Sequence, residues 1–148
     1  MKNEPLTILL ADDDEGDRFL FKEAFEELKL KTDVRTVNNG EELMAYLEKN
    51  DKNLPHILFL DLNMPRKNGI ECLKEIKAKK EYKEMAIAIF STSSSENDIE
   101  ETFLNGANVY ITKPDDFDTL KEVLDKAVKV THLYREPPFN KDNFLLKV

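Results

Sequence analysis

The stretch Leu6-Thr7-Ile8-Leu9-Leu10-Ala11-Asp12-Asp13-Asp14 decides the fold. A compact aliphatic run stops abruptly at three acids, as a strand buried on both faces stops where it meets solvent. Ile57-Leu58-Phe59-Leu60-Asp61 repeats the pattern, an apolar run closed by an acid. Ala86–Phe90 and Val109–Thr112 are two more such runs, closed by Ser91 and by Lys113-Pro114. Val34–Val37 reads as a further short strand, stopped by Asn38-Asn39-Gly40.

Helical patterns fill the intervals. Leu20, Phe21, Ala24, Phe25 and Leu28 recur at three and four residues and predict a helix over 16–30. Leu43, Met44 and Leu47 mark a second helix, with Glu41 and Glu42 in a first turn whose dipole favours acids. The loop 62–69, with Pro65 and Gly69, leads into a third helix marked by Ile70, Leu73 and Ile76. A Ser/Thr run at 91–95 suits the cap of a helix around 96–104, and Leu120, Val123, Leu124, Ala127 and Val130 stripe the last one. Strands alternating with helices imply an α/β fold: a doubly wound, five-stranded parallel sheet with right-handed crossovers and helices on both faces. In such sheets ligands bind outside the carboxyl ends of the strands.

The whole chain of 148 residues fits one domain. Residues 1–134 carry the alternating pattern, and 135–148 form a C-terminal extension outside it. A net charge of −8 argues against nucleic acid as a direct partner, because phosphate backbones are bound with Lys and Arg. Cys72 is the only cysteine, so no internal disulfide forms and no Cys/His cluster suggests zinc. Met1–Pro5 lacks the features of a signal peptide, and no apolar run approaches the roughly 20 residues that cross a bilayer. The expectation is a cytoplasmic protein.

The strand ends carry the chemistry. Asp12, Asp13 and Asp61 on neighbouring strand ends repel one another unless a cation lies among them, and an all-oxygen, partly hydrated site suits Mg²⁺. Ser91 and Lys113 add donors that three acids and one ion do not need; they suit an anion formed transiently at the site. A carboxylate nucleophile that becomes an acyl phosphate meets both requirements.

Together, Ile8–Asp14, the run Leu58-Phe59-Leu60-Asp61-Leu62-Asn63-Met64-Pro65, Ile89-Phe90-Ser91-Thr92 and Tyr110-Ile111-Thr112-Lys113-Pro114 resemble the receiver domain of bacterial two-component response regulators. The resemblance spans roughly 6–131 and implies a flavodoxin-like (CheY-like) fold with strand order 2-1-3-4-5. It implies Asp61 as phosphoacceptor, and Asp12, Asp13, Asp61 and the backbone carbonyl of Asn63 as Mg²⁺ ligands. It further implies Lys113 as the lysine that neutralises phosphoryl charge, Ser91 as the switch hydroxyl, Tyr110 as the switch aromatic, and a cis Lys113–Pro114 bond. The implied function is that of a single-domain regulator. It would take a phosphoryl group from a sensor histidine kinase or a phosphotransfer protein and signal in trans by conformational switching, as in a phosphorelay. Catalysis is then confined to its own phosphorylation and slow self-dephosphorylation.

Other readings fit less well. Asp12–Asp14 also suits a helix N-cap, but Asp61 at the neighbouring strand end is then left without a reason. An EF-hand loop with Gly16 at its sixth position would start at Ala11, which cannot ligate calcium. A phosphatase of the haloacid-dehalogenase type needs a second Asp two residues beyond its nucleophile, and that position is Asn63. Flavin phosphate would be repelled by Asp12–Glu15. A scaffold that works without phosphorylation requires none of Asp12, Asp13, Asp61, Ser91 and Lys113.

The extension has two readings. Pro137-Pro138 breaks a helix, and Phe144-Leu145-Leu146-Lys147-Val148 is too apolar for a frayed tail. It either docks on its own domain or forms a homodimer contact, as its resemblance to phytochrome-partnered single-domain regulators suggests.

Overall fold

The computed structural model describes residues 4–133 and 141–147. The order is β1 (Leu6–Ala11), α1 (Glu15–Glu27), β2 (Thr32–Val37), α2 (Gly40–Lys49), β3 (Ile57–Leu60), α3 (Gly69–Lys77), β4 (Ala86–Ser91), α4 (Glu96–Leu104), β5 (Val109–Thr112), α5 (Phe117–Val128) and a short α6 (Lys141–Phe144). All strand pairs are parallel, in the order β2-β1-β3-β4-β5. The doubly wound parallel sheet is the one the alternating pattern predicts, and the strand order is the one the resemblance implies.

Side-chain alternation along the strands builds two core layers. Leu9, Leu58, Leu60, Ile87, Ile89 and Tyr110 face one way, with Leu43, Leu47, Leu73 and Ile76 of α2 and α3. Ile8, Leu10, Phe59, Phe90 and Ile111 face the other, against Phe21 and Phe25 of α1 and Leu120, Val123 and Leu124 of α5. Every residue of β3 and β4 is buried, which explains their unbroken apolar character.

Helix starts follow local chemistry. Asp14, Asn39, Asn68, Ser95 and Asp116 each cap a helix by accepting a backbone N–H, and Asn68 completes a capping box with Glu71.

Some boundaries differ from the sequence pattern. Helix α1 ends at Glu27 rather than 30, because Leu28 is extended (ψ 146°) and packs beneath the core with Leu30. Strand β2 begins at Thr32, two residues before Val34, and pairs with the whole of β1 from Leu6↔Thr32 onward. As an edge strand it keeps polar residues, so its apolar signal is short. Helix α5 gives way to a π turn over Lys129–Leu133, which takes Val130 off the regular stripe. No peptide bond among the described residues is cis, so Lys113–Pro114 is trans, contrary to the family expectation; trans is the lower state of an X–Pro bond by about 0.5–1 kcal/mol.

Strand β5 is the other edge, and the C-terminal segment lies against it. Phe144 is fully buried, Leu145 forms a parallel bridge with Tyr110, and the Leu146 N–H donates to the Tyr110 carbonyl at 2.9 Å. The Pro137-Pro138 break lies outside the described residues. Among those described, no helix is long and apolar enough to cross a membrane.

Candidate functional site

Three parallel strands deliver acids and a base to one edge of the sheet. The β1–β3 register aligns Ala11 with Leu60, and the Asp61 N–H continues it by donating to the Ala11 carbonyl at 3.0 Å. Asp12 and Asp61 therefore leave adjacent strands side by side, and both are buried. Asp13, next along, is exposed. One carboxylate oxygen from each of Asp12, Asp13 and Asp61 lies within 4.8 Å of the others. The sequence-predicted acids converge.

The loop after Asp61 is shaped by Gly69, whose N–H donates to the Leu62 carbonyl at 3.0 Å. A Cβ there would stand 2.3 Å from the Asp61 carbonyl oxygen, so only glycine lets α3 start this close. Within the loop, the Asn63 N–H donates to Asp61 Oδ1 at 3.3 Å.

Lys113 reaches in from the end of β5, anchored by its backbone N–H on the Ser91 carbonyl at 2.8 Å. Its ammonium is 2.8 Å from Asp12 Oδ2, 2.8 Å from Asp17 Oδ2 and 3.4 Å from Asp61 Oδ2. Asp17 is a residue that the sequence reading missed. It sits in the first turn of α1, where an acid ordinarily answers the helix dipole, and its partner is 96 residues away in sequence.

Ser91 is fully buried, and its Oγ accepts the Ser93 N–H at 3.1 Å. Tyr110 is also fully buried, and its hydroxyl donates to the Ser93 carbonyl at 2.8 Å. Ser93 thus links the hydroxyl and aromatic positions. Its own side chain donates to Asp98 at 2.6 Å, while Ser95 caps α4, so the Ser/Thr run divides between site and cap.

The electrostatics follow from burial. Desolvation raises the Asp12 carboxyl, although Lys113 and the Asp14 N–H oppose it. Asp61 is pushed up to about 6, first by burial and also by the Asp12 charge, against the pull of Lys113. Burial works against the Lys113 charge, but its bonds to Asp12 and Asp17 outweigh that and hold it above the ordinary lysine value. Burial also raises Tyr110.

These residues fit a hard divalent cation. Among the described residues, the buried Asp12 Oδ2 meets only the Lys113 ammonium, at 2.8 Å, which leaves it acceptor capacity for a cation. The set is all oxygen, and its carboxylates outnumber the single ammonium.

Cys72 and His56 take no part in the site. The Cys72 thiol is buried, pushed up to about 11 by desolvation, and donates to the Gly40 carbonyl at 3.7 Å. His56 accepts the Thr7 N–H at 3.0 Å at the opposite edge of the sheet, its ring 5.2 Å from that of His132.

Comparison with known proteins agrees with this geometry. The family model of the response regulator receiver domain matches residues 8–125. A chemotaxis protein CheY homolog of Campylobacter jejuni is 32% identical over 123 residues, covering 83% of this chain and 92% of that protein. Response regulator Rcp1 of a Synechocystis species is 30% identical over 115 residues, 75% of this chain and 78% of the relative. Its Mn²⁺-bound crystal structure superposes with a TM-score of 0.77 at 27% identity, covering 90% of this chain and 99% of that one. The phosphorylated cyanobacterial phytochrome response regulator RcpA gives a TM-score of 0.81 at 31% identity, covering 91% and 99%.

Proposed function

The chain belongs to the response regulator receiver family, and from that premise we propose that it accepts a phosphoryl group on Asp61 and signals by changing conformation. The observation that carries this reading is the meeting of Asp61 with two further acids and one lysine at the carboxyl edge of the sheet. A scaffold would have no use for buried, mutually repelling carboxylates there.

In the proposed step an Asp61 oxygen attacks the phosphorus of a phosphohistidine on a sensor kinase or phosphotransfer protein. An O–P bond forms as the N–P bond breaks, and the departing imidazole takes its proton from solvent. Lys113, already in contact with Asp61, offers its ammonium to the phosphoryl oxygens. Asp12, Asp13, Asp61 and the Asn63 carbonyl are the residues that would hold Mg²⁺. When bound, the metal supplies charge neutralisation for the phosphoryl oxygens. Mn²⁺ in Rcp1 supports a divalent ion of this class.

The readout runs through Ser91 and Tyr110. Ser91 turning toward the phosphoryl group gives up the Ser93 N–H, and Ser93 also holds the Tyr110 hydroxyl, so the two side chains move as one. The face formed by α4, β5 and α5 then changes for a protein partner. A CheX–CheY complex from Borrelia burgdorferi, whose CheY is 25% identical to this chain, supports a protein rather than a nucleic acid as target. The role is that of a cytoplasmic phosphoacceptor, with no turnover beyond its own phosphorylation and dephosphorylation.

For the C-terminal segment, burial of Phe144 and Leu146 on their own domain supports docking in cis over a dimer contact. Light scattering on the chain cut after Tyr134 should give an unchanged assembly state; a fall from dimer to monomer would reverse that assignment.

The phosphoacceptor reading is tested by trapping. After incubation with a phosphodonor, hydroxylamine converts an acyl phosphate to a hydroxamate, and peptide mass analysis should place it on Asp61. A hydroxamate on Asp12 or Asp13, or none, would overturn the assignment.

A further inference from the structure

The lysine at the site is overcommitted. An ammonium has three donors, and Lys113 faces three carboxylates: Asp12 and Asp17 at 2.8 Å and Asp61 at 3.4 Å. To grip a phosphoryl oxygen it must let one of them go. Asp12 has a fully buried side chain that water does not reach, so its charge must stay with the lysine or with the Mg²⁺ it would ligate. Asp61 is the acceptor itself. The Asp17 side chain is 36% exposed, so water can replace the lysine at little cost.

Asp17 is also held where it stands. Its backbone N–H is bonded to Asp14 Oδ1 at 2.8 Å, and the next residue, Arg18, donates to the Asp12 carbonyl at 2.9 Å. The first turn of α1 is thereby fixed to the site, and Asp17 does not follow the lysine inward. We infer that Asp17 is a positioning residue that competes with the incoming phosphoryl group for the Lys113 ammonium, an inference that rests on Asp61 being the acceptor. It holds the lysine at the rim until a phosphoryl oxygen displaces it, and it weakens the grip on the phosphorylated form.

The test is a titration of the full chain with beryllofluoride, a phosphoryl analogue, in the presence of Mg²⁺. Asp17→Asn should bind about three- to five-fold more tightly than the parent, the range of a half-exposed ion pair. Glu15→Gln removes an exposed acid from the same turn and should leave the affinity within about 1.5-fold, the size of an unpaired surface charge effect. In the metal-free protein, the ¹⁵N resonance of the Lys113 ammonium should shift, and its protons exchange faster with water, in Asp17→Asn alone. An unchanged affinity in Asp17→Asn, an equal gain in Glu15→Gln, or an unmoved Lys113 resonance would each overturn the inference. If the parent itself bound no beryllofluoride, the acceptor assignment would fall and this inference with it.

Discussion

Leu146 donates its backbone N–H to the carbonyl of Tyr110 at 2.9 Å, so the C-terminal segment is fastened to the strand that leads into Lys113. The Phe144 ring sits 6.0 Å from the Tyr110 ring and 5.4 Å from that of Phe103, covering the edge of β5 and the flank of α4. A segment outside the alternating pattern thus packs on Tyr110, the aromatic proposed to move with Ser91.

Phe144→Ala should cost about 3 kcal/mol, as expected when a fully buried aromatic is emptied. Urea unfolding measures it. A change below about 0.5 kcal/mol, the level of a surface substitution, would show that the segment contributes nothing to the fold.

Asp61 should make the metal-free protein less stable as pH rises. Its folded pKa is raised from 3.8 to about 6, so within that window the folded state keeps a proton that the unfolded chain has released. That stability is fully present below the unfolded value and is lost as pH rises through the folded one. In the presence of EDTA, Asp61→Asn should exceed the parent by about 2 kcal/mol at neutral pH, an advantage that disappears as pH falls to about 4. Thermal melts across this range check both sign and window.

A divalent ion should reverse that penalty. Mg²⁺ at a hundred times its dissociation constant should stabilise the parent by about 2.7 kcal/mol. Asp13→Asn, at an exposed position, should keep the fold but weaken the Mg²⁺-dependent rise in Tm. An equal rise in the variant would remove Asp13 from the metal site.

Gly69→Ala should damage the site from beneath. The added methyl would meet the Asp61 carbonyl at 2.3 Å and the Leu62 Cα at 2.7 Å, both backbone atoms that cannot step aside. A loss of more than about 2 kcal/mol is expected from such overpacking, read by urea unfolding.

Much of this was legible in the sequence because buried parallel strands are short, continuous and apolar, and their ends are marked by polar residues. Ile57–Leu60 and Val109–Thr112 were bounded to the residue for that reason. Strand β2 was read short because an edge strand pairs through its backbone, and Thr32 and Asp33 carry no apolar signal. Leu28 kept the helical spacing while leaving the helix, since a position can stay on the core side after the backbone has turned away. Asp12, Asp61 and Lys113 are legible because each directly follows a strand, and Asp13 because it stands next to Asp12. Asp17 follows a helix cap instead, and its contact with Lys113 exists only once β1 and β5 bring α1 and the lysine together. The expected cis bond before Pro114 came from resemblance alone, with nothing local in the chain to specify it.

The most direct test of the phosphoacceptor assignment is the intact mass of the protein after incubation with acetyl phosphate, with and without Mg²⁺, beside Asp61→Asn. The expected result is a gain of one phosphoryl group in the parent that requires Mg²⁺ and is absent from the variant. A gain that survives in Asp61→Asn, or no gain in the parent from either acetyl phosphate or phosphoramidate, would contradict it.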